Sequence, residues 1–161
     1  MATPALDHMV RLCRGDSKDL DEVMEVMGAA FGSRFGEAWT RSQCAGILPM
    51  TGVSLNVARD GESGAAIGFT LSRTLADESE LLLLAVLPGR QRQGIGKMLL
   101  DDFMDRAHAG GAGRVHLEVR NGNAAVEMYL GAGFAAVGRR RNYYHAANGM
   151  RFDALTLSKE L

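Results

Sequence analysis

The sequence predicts an α/β fold with a mixed central sheet of about seven strands and flanking helices, in one domain over residues 1–161. A length of 161 residues is enough for one core without disulfide or metal support. Apolar residues recur with helical spacing in some segments and with strand spacing in others. A strand–helix–strand unit over 81–119 must cross over with the right-handed sense, so its strands at 81–87 and 114–119 are expected to be parallel.

The N-terminal part of the chain is expected to contain one strand and two helices. The strand is expected at 9–13. Apolar side chains recur every three or four residues over 19–31, which predicts an amphipathic helix that ends at Gly32. Thr40 and Gln43 have the spacing of a capping box, which predicts the start of a second, short helix.

The rest of the chain alternates between strands and helices. Apolar residues alternate at 53–57 and at 67–71 around a turn, which predicts an antiparallel hairpin with one buried face. The continuous apolar run at 81–87 predicts a central strand that is covered on both sides. The remaining expected elements are a helix at 94–109, a strand at 114–120, a short helix at 123–133, and two closing strands at 134–144 and 153–159.

The composition argues against several classes of protein. The net charge is only −1, so a general electrostatic attraction to nucleic acid or to anionic membranes is not expected. The N-terminus lacks an apolar core of signal-peptide length and the run at 81–87 is too short to span a bilayer, which predicts a cytoplasmic protein. Cys13 and Cys44 lack metal-site spacing and the four histidines are scattered, so no metal is expected.

A glycine-rich turn leads into the helix at 94–109. The first N–H groups of a helix lack intrahelical partners and carry partial positive charge, so they bind phosphate groups. Gly94 and Gly96 leave the backbone bare at this point, while Arg90, Arg92 and Lys97 add positive charge. The turn is therefore predicted to hold a polyanionic cofactor against the backbone.

Two common phosphate-binding motifs do not fit this turn. Gly89 and Gly94 have the first spacing of a P-loop, but Ile95 stands where that motif needs lysine. A dinucleotide fingerprint needs a third glycine where this chain has Leu99.

The whole string "VLPGRQRQGIGKMLL" resembles the acetyl-CoA signature of the GCN5-related N-acetyltransferase (GNAT) superfamily, matched here by Gln91, Gly94 and Gly96. The resemblance implies the superfamily's single-domain fold, splayed between the two parallel strands, and acetyl-CoA as co-substrate. It implies that the diphosphate is held by the amides of Arg92, Gln93, Gly94, Ile95, Gly96 and Lys97, and that Gln91 also belongs to the cofactor site. It also places the pantetheine along Leu84, Ala85 and Val86, where the N–H of Ala85 or Val86 would polarise the thioester carbonyl.

The segments "LEVRNGNAAVEMYLGAGF" and "RRRNYY" resemble the branch of the superfamily that acetylates the N-terminal alanine of ribosomal proteins. The implied acceptor is the α-amine of a protein N-terminus. Glu118 would then be the general base. It shares a strand face with His116, which is the rival base, and it stands near the carboxyl end of a strand that should otherwise be apolar.

Tyr129 is the candidate acid, although its helical spacing from Ala125 also suits a plain core position. Asn123 resembles an asparagine that contacts coenzyme A, with Asn121 as its competitor, and it also suits a helix cap. The resemblance places four residues near the acceptor amine, namely Trp39, Arg141, Tyr143 and Tyr144.

Two other functions remain open at this point. The acceptor could be a small-molecule amine or a lysine. A protein of another class, an RNA- or ribosome-binding module without catalysis, could use the three arginines at 139–141. Stable nucleic-acid binding is nevertheless not expected, and the chain is expected to be a monomer or a homodimer.

Overall fold

The computed structural model describes residues 9–161. The N-terminal stretch used for the expectation about targeting segments lies partly outside them, at residues 1–8. In chain order the elements are β1 (Val10–Gly15), α1 (Leu20–Phe31), α2 (Arg41–Ile47), β2 (Val53–Asp60), β3 (Ala66–Leu75), β4 (Glu78–Val86), α3 (Ile95–Ala109), β5 (Arg114–Arg120), α4 (Ala125–Gly131), β6 (Ala135–His145) and β7 (Arg151–Glu160). The predicted elements are confirmed, with shifts of a few residues at their ends.

The seven strands form one mixed sheet in the order β1-β2-β3-β4-β5-β7-β6. All neighbouring strands are antiparallel except β4 and β5, which are parallel as the crossover requires. The predicted fold class is therefore confirmed.

Local signals set the ends of the first two helices. Asp16 caps a short 3-10 turn, Ser17–Asp19, which leads directly into α1. Gly32 ends α1 with a φ of 57°, a value that favours glycine. The capping box before α2 is complete, because the Gln43 N–H donates to Thr40 Oγ1 at 3.1 Å and the Thr40 N–H donates to Gln43 Oε1 at 2.8 Å.

The hairpin of β2 and β3 is buried on both faces, so the expectation of one buried face is wrong. Val57 and Phe69 pack under α1 on one face, while Ala58 and Ile67 pack under α3 on the other. The alternation of apolar and polar residues did not reveal this for two reasons. Ala58 on the second face is small, and a bulge leaves Ile67 unmatched in the pairing, so Ile67 packs on the opposite side from Phe69 although the two are two residues apart.

The pairing between β4 and β5 covers only part of their length. It runs from Glu78↔Arg114 to Leu81↔Leu117 and ends there. A bulge at the same level leaves Leu82 unmatched in the pairing of β4 with β3. Beyond this point β4 continues along β3 and β5 continues along β7, so the sheet forks. The predicted splay between the parallel strands is confirmed.

The fork changes the environment of the central strand. Leu82 and Leu84 are only partly buried, since they line the gap instead of being covered on both sides as expected. None of the helices in residues 9–161 combines the length and apolar character that crossing a bilayer requires.

We expect Thr40→Ala to lower the free energy of unfolding by about 1 kcal/mol, because it removes the oxygen that accepts from the first turn of α2. Urea unfolding followed by circular dichroism measures the change. Thr40→Ser keeps the hydroxyl and serves as the control. Equal stability of the Ala and Ser variants would show that the cap contributes nothing.

Candidate active site

A cleft of about 980 Å³ opens where β4 and β5 diverge. Its walls come from both strands, from the turn before α3, from the start of α4 and from the loop between α1 and α2. The cleft therefore joins elements from both halves of the chain at the fork in the sheet.

One end of the cleft is formed by the start of α3. Gly94 stands at the N-cap with a φ of 82°, a left-handed conformation that costs other residues free energy. A Cβ on Gly96 would lie 3.3 Å from Met128 Sδ, so a larger residue there would crowd α4. Both glycines line the cleft and leave the backbone free of side chains at the helix start, where the first N–H groups lack intrahelical partners.

The charges expected at this turn are only partly available. The Arg90 guanidinium forms an ion pair with Asp60 at 2.7 Å and holds the pKa of that carboxyl far below its usual range. Arg90 therefore anchors the turn to the β2–β3 hairpin, which corrects its expected contribution to the cofactor site. Arg92 and Lys97 line the cleft, and Lys97 pairs with Asp101 at 2.8 Å on the helix surface.

Other residues of the turn hold its conformation through hydrogen bonds and core packing. Gln91 lines the cleft and its Nε2 donates to the Val86 carbonyl at 3.1 Å, which ties the turn to the end of β4. Gln93 accepts a hydrogen bond from Arg90 Nε at 3.2 Å. The Ile95 side chain is 1% exposed in the core beneath α3, so only its main chain is available to a ligand.

Glu118 is the first residue of β5 after the last pair with β4, so it stands at the apex of the fork. Its side chain is 11% exposed, which rules out an ordinary surface position. Oε1 lies 3.0 Å from Arg140 Nε, and Oε2 accepts from the Thr156 hydroxyl at 2.8 Å. A carboxylate has about four lone-pair sites, so it retains capacity for a further donor from the cleft.

Two tyrosine hydroxyls belong to the same region. Burial raises the pKa of Tyr129 well above its usual range, and the negative charge of Glu37 adds to this effect. Burial and Glu37 likewise raise the pKa of Tyr144. The Tyr144 hydroxyl donates to the main-chain oxygen of Glu118 at 3.3 Å. Both phenols are therefore protonated at neutral pH, but the single O–H of Tyr144 is already used on the Glu118 carbonyl, whereas Tyr129 keeps its proton available for donation.

Glu37 is the main residue of the cleft that the sequence analysis missed. It comes from the loop between α1 and α2 and is only 10% exposed. Its Oε1 lies 3.2 Å from Arg120 Nε, and its Oε2 accepts from Asn123 Nδ2 at 2.8 Å. The Arg120 guanidinium in turn lies 3.6 Å from the centroid of the Phe35 ring. No sequence motif marks Glu37, because its partners are distant along the chain.

The structure separates the two candidate asparagines. Asn123 lines the cleft, and its Oδ1 accepts from the N–H of Ala125, the first residue of α4, at 2.8 Å; the N-cap position itself is occupied by Ala124, one residue later than predicted. Asn121 does not reach the cleft and instead lines a shallow depression beside it.

Of the remaining predicted site residues, some line the cleft and others do not. Trp39, Tyr143 and Tyr144 line the cleft together with Leu84, Ala85 and Val86. Arg141 is exposed and is not among the described residues that line it.

His116, the rival base, lies 3.6 Å from Glu80 and 3.9 Å from Glu78 beside the paired part of the strands, away from the fork. Within residues 9–161 no group of three or more His, Cys, Asp or Glu side chains suits a metal ion.

Two features point to one class of protein: the fork between β4 and β5, and the glycine backbone without side chains at the start of α3. The Acetyltransferase (GNAT) domain family matches residues 36–152, which is most of the chain. The chain belongs to this family, and the resemblance seen in the sequence is confirmed.

Individual proteins of known name are also similar to this chain in sequence. A ribosomal protein bS18-alanine N-acetyltransferase from Escherichia coli is 37% identical over 98 residues, which cover 60% of this chain and 66% of that protein. An N-alpha-acetyltransferase RimI from Mycobacterium tuberculosis is 38% identical over 108 residues, which cover 64% of this chain and 63% of that protein. The chain thus spans slightly less than two thirds of the curated relatives that it matches.

Among solved structures, the ribosomal-protein-S18-alanine N-acetyltransferase from Escherichia coli superposes with a TM-score of 0.84 at 27% identity. The superposition covers 94% of each chain. The likeness of fold therefore extends well beyond the segment of clear sequence similarity.

We expect Glu37→Ala to lower the free energy of unfolding by about 3 kcal/mol, because it leaves the enclosed Arg120 guanidinium without its counter-charge. Urea unfolding measures the loss. Asp21→Ala breaks the exposed pair of Asp21 with Arg41 and should cost little, which makes it the matched control. A loss at Glu37 no larger than that at Asp21 would contradict the assignment of a buried pair.

Proposed function

We propose that this protein transfers an acetyl group from acetyl-CoA to the α-amine of a protein N-terminus, with the terminal alanine of a ribosomal protein as the acceptor. The observation that carries the proposal is the fork, which opens a cleft between the start of α3 and the buried carboxylate of Glu118. Family membership supports acetyl transfer, and the names of the relatives support the acceptor. The proposal treats 1–161 as one N-acetyltransferase domain in the cytoplasm, where ribosomal proteins are made.

Acetyl-CoA would supply the activated acetyl thioester, and the residues of the cleft fit its parts. The backbone from Arg92 to Lys97 would bind the diphosphate, because Gly94 and Gly96 leave its N–H groups accessible. Leu84, Ala85 and Val86 would lie along the pantetheine, since β5 does not pair with them. Asn123 also lines the cleft, and its amide nitrogen keeps a second hydrogen after its bond to Glu37.

Glu118 is proposed as the group that takes the proton from the acceptor amine, directly or through water. Its low exposure and remaining lone pairs suit this role. An α-amine, with a pKa of about 8, is already partly neutral at about pH 7. Deprotonation of a lysine, with a pKa of about 10.4, costs about 3 kcal/mol more at the same pH. The chemistry therefore favours an N-terminal acceptor over a lysine.

Tyr129 is proposed as the group that protonates the departing thiolate. Burial keeps the hydroxyl protonated, and its ring is held edge-on against Phe134 at 5.9 Å between centroids. The acceptor end of the cleft would be shaped by Trp39, Tyr143 and Tyr144.

We expect incubation with acetyl-CoA to add one acetyl group to a peptide that begins with alanine. Intact-mass spectrometry and fragmentation would locate it on the α-amine. Peptides blocked at the N-terminus with an internal lysine, polyamines and aminoglycosides are the competing acceptors. A preference for a small amine would show that the acceptor is not a protein N-terminus. Salt-sensitive RNA binding without release of the coenzyme A thiol would show that the protein is an RNA-binding module and not an acetyltransferase.

We expect Glu118→Gln and Tyr129→Phe to lower kcat by about 10² to 10⁴, because each removes a proton-transfer group while keeping the side-chain shape. Steady-state kinetics at saturating acetyl-CoA measures the loss, and calorimetry should show unchanged binding of coenzyme A. Glu62→Gln, in the exposed turn after β2, is the matched control. A kcat close to that of the control would remove the residue concerned from the proton transfer.

A further inference from the structure

The edge strand β6 contains an irregularity beside the cleft. Arg140 is paired with Ala154, and Tyr144 is paired with Phe152, so three residues of β6 stand opposite Asp153 alone. Two residues are thus extra on the β6 side. Asn142, in the middle of the three, has a φ of 53°, which is uncommon outside glycine.

This bulge changes which side chains reach the cleft. Neighbouring residues of a regular strand point to opposite faces, so only one of Tyr143 and Tyr144 would be expected to face the cleft. Both line it, with their rings edge to face at 5.0 Å between centroids. The extra residues therefore bring a second aromatic side chain to the same wall.

Asp153 holds the bulge closed from the facing strand. Its Oδ1 accepts from the Asn142 N–H at 2.9 Å, and its Oδ2 accepts from Arg139 Nε at 2.8 Å. The main-chain oxygen of Asp153 accepts from the Asn121 N–H at 2.9 Å, which joins the bulge to the segment that follows β5. One residue thus links the bulge to the strand that bears Glu118.

We propose that Asp153 and the left-handed backbone at Asn142 are positioning elements that set the acceptor specificity of the cleft by presenting Tyr143 and Tyr144 together. The inference rests on the proposed function, since it assumes that the tyrosine wall receives the acceptor. It assigns no chemical step to either residue. Binding of coenzyme A at the start of α3 is independent of the bulge.

Asn142→Val tests the backbone requirement. A β-branched residue resists this conformation, so the bulge should open and the KM for the alanine peptide should rise about tenfold. Asn142→Gly accepts the conformation and should raise the KM far less. Ala76→Val is the control, because Ala76 has a φ of 54° in the turn between β3 and β4, away from the fork. It should lower thermal stability and leave the acceptor KM alone.

Asp153→Ala and Asp153→Asn test the bridge. The Asn variant keeps an oxygen that accepts from the Asn142 N–H, so its KM should lie between those of the wild type and the Ala variant. The dissociation constant for coenzyme A, measured by calorimetry, should not change in any of these variants. An acceptor KM that is unchanged in Asn142→Val and in both Asp153 variants would overturn the inference.

Nitration by tetranitromethane, located by fragment mass spectrometry, gives a readout that does not need activity. Tyr143 is 46% exposed, whereas Tyr144 is partly buried and bonded to the Glu118 carbonyl, so only Tyr143 should react readily in the wild type. Asn142→Val should make Tyr144 reactive. Continued protection of Tyr144 would refute the positioning role. A wild type that transfers no acetyl group would instead refute the proposed function, while the nitration result still decides the state of the bulge.

Discussion

The structure depends on the loss of pairing between two parallel strands. β4 and β5 bond only as far as Leu81 and Leu117, and the bulge at Leu82 turns β4 aside at this level. Strand N–H and C=O groups that lack a partner are costly unless a ligand or water satisfies them. The fork thus creates a gap lined by backbone donors and acceptors, and the remaining features of the cleft are arranged around that gap.

Two carboxylates in the cleft have counter-ions of different kinds. Glu37 faces Arg120, and both side chains are almost enclosed, so this pair holds the loop between α1 and α2 against β5. Glu118 faces Arg140, which is 62% exposed on an edge strand. A solvated arginine can leave its partner at little cost, whereas an enclosed one cannot. The geometry therefore suits Glu37 to a structural role and leaves Glu118 free to exchange its partner.

Much of the fold was predictable from local patterns. The capping box at Thr40, the helical spacing in α1 and the crossover between β4 and β5 each depend on residues that are close in sequence or on a general rule of chain handedness. The candidate site was also partly predictable, because the glycines before α3 and the polar Glu118 within an apolar strand stand out locally. The two-sided burial of the hairpin was missed, since alanine and other small residues of β2 do not reveal which surface covers them.

The sequence by itself determined the order of elements, the parallel pair and the bare backbone at the start of α3, because these follow from spacing and from the conformations that glycine allows. Only the tertiary structure decided which charges meet. Arg90 is bound by Asp60 rather than free, and Glu37 reaches Asn123 across 86 positions of the chain. Such pairs depend on how distant segments pack, and an ionic contact leaves no periodic trace in the sequence.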